Sequence, residues 1–198
     1  IERMISKMVI LGFTGETVNP NDEIYKNIKD GLGGVILFDK DPTDKTKIKN
    51  VRNKTQLKIF TASLQAISKQ KLLISIDQEG GIVQRLKKED GFVDIPKASS
   101  VALMGESFAR NTYKSLAKDL KESGINNDFA PVVDVNTNPN NPIIGNRSFG
   151  SDVQNVTNSA LFYSNGLQDS NVLAAIKHFP GHGDTDTDSH LDLPMISH

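Results

Sequence analysis

Five short apolar runs, separated by longer amphipathic stretches, are the feature of this 198-residue chain that most restricts its fold. Each run is almost entirely apolar, which is typical of parallel strands covered on both faces. Helix-like stretches lie between the runs, at about 22–30, 44–69, 99–123 and 151–169. This alternation predicts an α/β domain with a parallel sheet. The runs are Met8–Leu11, Val35–Phe38, Leu72–Ile76, Phe129–Val133 and Val172–Ile176.

Polar residues follow four of the five runs directly or nearly so. In a (β/α)8 barrel the carboxyl ends of all the strands meet at one mouth, so polar side chains are expected at each of them. A doubly wound sheet would concentrate such residues at one switch point and would carry a glycine fingerprint that this chain lacks. The pattern therefore favours the barrel. The residues are Asp39, then Asp77 with Gln78 and Glu79, then Asp134, and finally Lys177 with His178.

We predict a single domain over residues 1–198 that forms the amino-terminal portion of a TIM-type (β/α)8 barrel and supplies its first five β/α units. A complete barrel takes about 250 residues. Closure also requires that the edge of every strand is paired. Three further strands are therefore expected beyond this sequence, unless the fold is a different one.

Composition excludes several classes of protein. With 23 basic and 24 acidic residues the chain has no cationic footprint for nucleic acid. It has no cysteine, which excludes disulfides, thiolate metal sites and a cysteine nucleophile. No apolar run approaches the roughly 18–20 residues needed to span a bilayer, so we expect no membrane span.

The segment from Lys177 to His190 contains an unusual density of titratable side chains. Lys177 and His178 end the last apolar run, whereas Asp188 and His190 lie further along, in a loop. In an extended loop, residues two apart point to the same side, so Asp188 could orient His190 and raise its basicity. A histidine held in this way can give and take a proton near neutral pH. The alternative is that these are ordinary solvated loop residues.

Two further groups are candidates for binding a polyhydroxy ligand. Asp77, which follows the third run, and Arg85 could together supply directed acceptors and donors for hydroxyl groups. Arg147 lies in a long polar loop after the fourth run, and such loops often bind ligands. The plainer alternatives are a strand-end turn for the first group and a local ion pair for Arg147.

A metal site is the main competing interpretation of the last loop. Asp184, Asp186 and Asp188 imitate the start of a calcium-binding loop, but Ser189 and Met195 occupy the positions where glycine and glutamate are required. An improvised site would need His182, Asp184 and His190. We expect neither a metal nor a cofactor, and a metal-dependent TIM-barrel hydrolase stays an alternative.

The motifs together resemble those of family 3 glycoside hydrolases, in particular the bacterial β-N-acetylglucosaminidase (β-hexosaminidase) branch. The resemblance covers nearly the whole chain from about Met8, with its motifs in the same order as in the family. Each motif alone is modest, and the specificity comes from their combination. The motifs are Lys177 to Gly183 followed by Asp188 to His190, Ile76 to Gly81 with Gln84 and Arg85, Phe129 to Asp134, and Arg147 to Phe149.

The resemblance implies a TIM-type barrel that removes terminal non-reducing β-linked N-acetylglucosamine with retention of configuration, plausibly from peptidoglycan (muropeptide) fragments. His190 would be the general acid/base, oriented by Asp188. The terminal sugar would be bound by Asp77, Arg85, Arg147, Lys177 and His178.

The nucleophilic aspartate of the family does not match any position in this chain and would lie beyond His198. We therefore expect this chain alone to be inactive by double displacement. A non-catalytic glycan-binding or truncated barrel is the main alternative function. The sequence leaves open the natural aglycone, the oligomeric state, and whether a bacterial protein of this kind is cytoplasmic or exported to the cell envelope.

Overall fold

A computed structural model of the chain describes residues 2–189 and 191–194. Strands and helices mostly alternate along the chain. The helices are α1 Glu2–Ser6, α2 Glu23–Asp30, α3 Lys54–Ile67, α4 Ala98–Leu103, α5 Glu106–Glu122 and α6 Val153–Gln168. The strands are β1 Ile10–Gly12, β2 Gly34–Ile36, β3 Leu73–Ile76, β4 Gln78–Gly80, β5 Val83–Gln84, β6 Asn127–Asp128 and β7 Leu173–Ala174.

The main sheet has five parallel strands in the order β1-β2-β3-β6-β7. This order is the order along the chain, without the reversal that defines a doubly wound sheet. The prediction of an α/β domain with a parallel sheet is therefore confirmed. Within the described residues the sheet is open, with β1 at one edge and β7 at the other, so it does not form a closed barrel. β4 and β5 form a separate antiparallel hairpin.

Helices α3, α5 and α6 each bury several apolar residues. On α3, Leu57, Phe60 and Leu64 are buried, since they lie three or four residues apart on one face. Tyr113 of α5 contacts Tyr163 of α6, with ring centroids 4.5 Å apart, and both are almost fully buried. This packing covers the sheet and fixes the strand ends that carry the candidate site.

The sequence placed one strand and one helix boundary wrongly. The fourth strand of the main sheet is Asn127–Asp128 instead of 129–133. The two residues that pair with β3 are buried and polar, and they come just before the apolar run that was expected to form the strand. The helix expected over 44–69 begins only at Lys54, where the Asn53 side chain accepts a hydrogen bond from the backbone N–H of Gln56 and caps it. Residues 44–53 form a loop instead.

The stretch predicted as one helix over 99–123 is two helices, α4 and α5, separated at Met104 and Gly105. Gly105 has a positive φ of 85°, a conformation that glycine adopts without strain and that ends α4. Across residues 2–189 and 191–194, every helix is too short or too polar to cross a bilayer.

Candidate functional site

The carboxyl ends of β3, β6 and β7 bring predicted site residues into direct contact. Asp77 follows β3, Asp134 follows β6, and Lys177 and His178 follow β7. The β6 and β7 segments continue side by side past their strands, because the backbone N–H of Val133 donates to the carbonyl of Lys177 at 2.7 Å. Parallel strands that end at one edge therefore assemble the site.

Lys177 joins two carboxylates from the segment after β3. Its Nζ lies 2.9 Å from Oδ1 of Asp77 and 2.6 Å from Oε1 of Glu79. Asp77 and Glu79 are two residues apart in an extended segment, so their side chains point to the same side. Lys177 is thereby fixed at the floor of the site, with only 18% of its side chain exposed.

Arg147 reaches the same carboxylate from the loop after β6. Its Nε donates to Oε2 of Glu79 and its Nη2 to Oε1, each at 2.8 Å, which is a bidentate pair. Its Nη1 also donates to the carbonyl of Ile143 at 3.2 Å. Arg147 lies in a 3₁₀ turn, Gly145–Arg147, which presents the guanidinium to the strand ends.

Glu79 therefore holds two cations, and its environment keeps it ionised. Burial alone would raise the pKa of its carboxyl, but the Arg147 guanidinium and the Lys177 ammonium hold that pKa below its ordinary value. The pKa of Arg147 is correspondingly raised by its hydrogen bonds to Glu79. Glu79 is 5% exposed, so this is a buried ion cluster and not a surface one.

His178 is oriented by Asp134. The Nδ1 atom of His178 lies 2.6 Å from Oδ2 of Asp134, and a carboxylate in this position selects the imidazole tautomer with its proton on Nδ1. The other ring nitrogen, Nε2, then accepts, and Nη2 of Arg147 lies 3.4 Å from it. Burial would raise the pKa of Asp134, but hydrogen bonds from His178 and from the backbone N–H of His182 lower it overall.

Asp134 also ties the site to the loop that follows β7. Its Oδ1 accepts the backbone N–H of His182 at 2.7 Å, while its Oδ2 faces His178. The ring of His182 contacts the hydroxyls of Thr185 and Ser189 through its two nitrogens. The buried carboxylate of Asp134 therefore holds both His178, a predicted sugar-binding residue, and the backbone at the start of the predicted catalytic loop.

The loop over 181–189 is anchored to the loop after β6. Asn141 donates through Nδ2 to the carbonyl of His182 at 2.7 Å, and Asn138 donates to the carbonyl of Thr185 at 3.0 Å. Thr185 is 3% exposed. At Gly183 a Cβ atom would lie 1.9 Å from the carbonyl oxygen of Val135, so only glycine fits this approach. The glycine at this position therefore permits close packing of the two loops.

The predicted proton-transfer pair is only partly described. Asp188 is half-buried, and its carbonyl accepts the backbone N–H groups of Leu191 and Asp192 at 2.9 and 3.0 Å. His190 lies outside the described residues. The pairing of Asp188 with His190 therefore stays a prediction.

Arg85 lies apart from the ion cluster around Glu79. Its Nη1 is 3.9 Å from Oδ1 of Asp39, and its guanidinium lies over the ring of Phe38. Gln78 places Arg85 there, since its Oε1 accepts the backbone N–H groups of Arg85 and Leu86 at 2.8 and 2.9 Å. Of the five predicted sugar-binding residues, the structure brings four together at the strand ends and leaves Arg85 one strand further along, above β2.

A cavity of about 480 Å³ opens between the ends of β6 and β7 and the loop over 181–189. Most of its lining residues are apolar or glycine, and the charged or polar ones are Asp134, Thr137, Lys177, His178 and Asp184. Thr137 bridges its rim by donating a hydrogen bond to Asp184 at 2.9 Å. Charged donors and acceptors fixed by buried partners can bind the hydroxyl groups of a sugar with defined geometry.

A second buried network lies beneath the site and was not predicted. Asp128 accepts the backbone N–H of Gln78 at 3.0 Å, and its Oδ2 is 2.7 Å from the hydroxyl of Tyr163. That hydroxyl is also 2.9 Å from the carbonyl of Gln78. Burial raises the pKa of Asp128 to about 7 and raises that of Tyr163 as well. The network fixes the backbone between Asp77 and Glu79.

Sequence reasoning also missed Glu79 and Asp134 as parts of the site. Glu79 was noted only as a polar residue at a strand end, although its spacing of two from Asp77 could have placed both on one face. Asp134 was noted only as a polar strand end. Among residues 2–189 and 191–194 there is no group of three or more histidines and carboxylates positioned to hold a metal ion. The improvised arrangement includes His190, and the calcium-like one extends to Met195, both of which lie outside those residues.

The fold and the site together define an α/β domain with a buried ion cluster at the carboxyl ends of its parallel strands. The sequence profile of the glycosyl hydrolase family 3 N terminal domain matches residues 1–198, and the chain belongs to that family.

The chain is similar to named relatives over much of its length. It is 39% identical over 175 residues to beta-hexosaminidase A of Pseudoalteromonas piscicida, which covers 84% of this chain and 28% of the relative. It is 36% identical over 181 residues to a beta-hexosaminidase of Neisseria meningitidis serogroup C, which covers 87% of this chain and 47% of the relative. The chain therefore spans less than half of either relative.

A solved structure shares the fold over the whole chain. The family 3 β-N-acetylglucosaminidase from Paenibacillus sp. str. FPU-7 superposes with a TM-score of 0.88 at 37% identity, which covers 100% of this chain and 36% of that one. NagZ from Neisseria gonorrhoeae, solved with N-trifluoroacetyl-D-glucosamine, superposes with a TM-score of 0.81 at 33% identity and covers 94% of this chain and 53% of that one.

Proposed function

We propose that the protein carrying this chain is a retaining glycoside hydrolase that removes terminal non-reducing β-linked N-acetylglucosamine. Family membership and the similarity to beta-hexosaminidases support the class of reaction. The observation that carries the proposal is the ion cluster in which Glu79 holds both Lys177 and Arg147 beside Asp77. Such a cluster presents fixed donors and acceptors to the hydroxyls of one sugar ring.

In this proposal the terminal sugar is bound by Asp77, Arg147, Lys177 and His178. Its hydroxyls exchange hydrogen bonds with the Asp77 carboxylate, the Lys177 ammonium and Nε2 of His178. Because each of these groups is already held by a buried partner, little side-chain freedom is lost when the sugar binds. Arg85 takes part from the β2 side, where Gln78 positions it.

The proton is moved by His190, with Asp188 as its orienting carboxylate. His190 first protonates the leaving glycosidic oxygen and then removes a proton from the incoming water. A histidine in this role departs from the pair of carboxylates that most retaining glycosidases use. The nucleophile is an aspartate that we place beyond His198. It would form the covalent glycosyl intermediate, and this chain without it would bind but not turn over substrate.

We further propose that the sheet is part of a TIM-type (β/α)8 barrel. The support is the unreversed strand order and the unpaired edges of β1 and β7 within the described residues. Exposed apolar residues beside both edges suit coverage by further strands: Met8 is 85% exposed near β1, and Leu173 and Ile176 are 55% and 66% exposed at β7.

The substrates that we propose are peptidoglycan-derived amino-sugar fragments. Hydrolysis of 4-nitrophenyl N-acetyl-β-glucosaminide by the complete gene product tests the activity directly. The His190→Ala variant should lose activity by at least about a hundredfold, the scale of general acid catalysis. Unchanged activity would refute the assignment of His190.

The second candidate function is a glycan-binding domain without turnover. Its support is that the ion cluster around Glu79 could bind a sugar without hydrolysing it. Calorimetry with N-acetylglucosamine, followed by the hydrolysis assay on the same preparation, separates the two candidates. Binding without hydrolysis by the complete gene product favours the second. Activity that disappears with EDTA would instead support the metal-dependent alternative.

A further inference from the structure

A second cleft, of about 460 Å³, lies above the carboxyl end of β2, beside the sugar site. It is bounded by the segment that follows β2 and by the segment that follows β5. β2 and β3 are hydrogen-bonded neighbours, as shown by the Leu37 N–H that donates to the carbonyl of Ser75 at 2.9 Å. The cleft and the Asp77 end of β3 are thus about one strand spacing, ~4.8 Å, apart.

The cleft is strongly cationic. Five cationic side chains and two carboxylates line it, which gives a formal charge of +3, whereas the whole chain has a net charge of −1. A local excess of one sign in a concave surface attracts ligands of the other sign. The cationic residues are Lys40, Lys45, Lys49, Arg85 and Lys87, and the carboxylates are Asp39 and Asp41.

Both carboxylates in the cleft are already engaged. Asp39 is 7% exposed and pairs with Nζ of Lys87 at 2.7 Å. Asp41 accepts hydrogen bonds from the hydroxyl and the backbone N–H of Thr43, at 2.6 and 2.8 Å. Within residues 2–189 and 191–194, Lys40 and Lys45 form no ion pair. The positive charge in the cleft is therefore not neutralised by the protein.

Arg85 carries a donor that the protein leaves unpaired. Its Nε is buried and has no hydrogen-bond partner within the described part of the chain. Its Nη1 is 3.9 Å from Asp39, which is too far for a hydrogen bond. A buried N–H without an acceptor is costly, so a small shift of the guanidinium toward an anionic oxygen bound in the cleft would be favourable.

We propose that this cleft is an aglycone subsite that binds a carboxylate carried by the part of the substrate beyond the terminal N-acetylglucosamine. The inference rests on the proposed glycosidase function and names the class of its substrate, a glycoside with an acidic aglycone. Arg85 lies between the sugar site and the cleft, and it takes part in binding both the terminal sugar and the aglycone. Lys45 and Lys49 contribute charge to the cleft but take no part in binding the terminal sugar.

Two disaccharides of equal size test the proposal. In one, N,N′-diacetylchitobiose is oxidised at its reducing end to the aldonic acid, and in the other it is reduced to the neutral alditol. The complete gene product should hydrolyse the acid with a kcat/KM about tenfold above that of the alditol at low salt. The preference should largely disappear at about 0.5 M NaCl, since the screening length is then about 4 Å.

A double variant tests whether the lysines of the cleft cause the preference for the acid. Lys45→Gln with Lys49→Gln should lower kcat/KM for the acid about five- to twentyfold and leave hydrolysis of the alditol within about twofold. The matched control is Lys58→Gln with Lys69→Gln, which removes the same charge from exposed positions on and after α3 and should leave the preference intact.

The outcomes are distinct. Equal hydrolysis of the two disaccharides by the wild-type protein, or equal losses on both in the Lys45 and Lys49 variant, would overturn the subsite. Loss of the preference in the Lys58 and Lys69 control would show only an effect of net charge and would overturn it too. Failure of the wild-type protein to hydrolyse either disaccharide or the aryl glycoside would instead refute the glycosidase function on which it rests.

Discussion

Glu79 and Arg147 form a bidentate pair in which Nε donates to one carboxylate oxygen and Nη2 to the other, each at 2.8 Å. The pair joins the segment after β3 to the loop after β6, which are 68 residues apart in the chain. Because Lys177 approaches the same carboxylate from β7, Glu79 connects three elements of the site. Its role is to position the two cations that we propose bind the sugar.

Replacing Glu79 with Gln should therefore damage both stability and binding. A neutral amide would leave the buried charges of Arg147 and Lys177 without their anion, which destabilises a protein by about 3–5 kcal/mol. Urea unfolding measures the loss, and calorimetry with N-acetylglucosamine measures the affinity. The control is Glu16→Gln, which removes the carboxylate from an exposed bidentate pair with Arg52 and should destabilise by less than about 1 kcal/mol. Equal losses in the two variants would contradict the account.

Asp134→Asn should change the tautomer of His178. The amide oxygen is needed by the His182 N–H, so the amide NH₂ would face Nδ1 of His178 and move the imidazole proton to Nε2. That proton would then point toward Arg147, and sugar affinity should fall about tenfold or more. Nitrogen-15 NMR of the histidine rings reports the tautomer. Retention of the Nδ1–H form with unchanged affinity would contradict the role given to Asp134.

The sequence predicted the order of the five main strands and their parallel arrangement, because buried parallel strands are nearly all apolar. It failed at β6, where Asn127 and Asp128 continue the ladder although both are polar. Their polar groups are satisfied inside the fold, by Ser75 for Asn127 and by Gln78 and Tyr163 for Asp128. Single-sequence patterns do not show such long-range partners.

The sequence predicted the cationic residues of the candidate site better than it predicted the carboxylates that hold them. Lys177, His178 and Arg147 stood out as charges at strand ends or in a polar loop. Glu79 resembles a solvated turn residue until the fold brings Arg147 to it. Arg85, in contrast, was expected beside Asp77, but Gln78 and Asp39 hold it above β2.

Gly183→Ala should displace the loop that follows β7. The added methyl would lie 1.9 Å from the carbonyl oxygen of Val135, so the backbone must shift. Exchange of the Asn138 amide proton, which bonds to the carbonyl of Gly183 at 3.2 Å, should accelerate, and hydrolysis should fall. Gly12→Ala is the control, since its Cβ would be in ordinary contact at 3.6 Å. Unchanged Asn138 exchange in Gly183→Ala would show that the loop is not anchored there.

Because Asp128 is buried, the free energy of unfolding should fall as the pH rises. Burial raises its pKa in the folded chain from 3.8 to about 7, so between these values the folded state binds more protons than the unfolded state. The stabilisation is fully present below about pH 4 and is lost as pH rises toward 7, by roughly 2–4 kcal/mol. A protonated Asp128 also lets the Tyr163 hydroxyl accept from it while donating to Gln78.

Asp128→Asn imitates the neutral acid and should remove this dependence. Urea unfolding at pH 5 and pH 8 measures it: the variant should match the wild type at pH 5 and exceed it at pH 8. Asp94→Asn, at an exposed loop position, is the control and should keep the wild-type slope. An identical slope in Asp128→Asn and the wild type would exclude Asp128 as its source.

The central claim is that the protein carrying this site hydrolyses a β-linked N-acetylglucosaminide with retention. Proton NMR of the sugar first released from 4-nitrophenyl N-acetyl-β-glucosaminide by the complete gene product tests it most directly. The account predicts that β-N-acetylglucosamine appears first and then mutarotates. Release of the α-anomer first, or no release of N-acetylglucosamine, would contradict it.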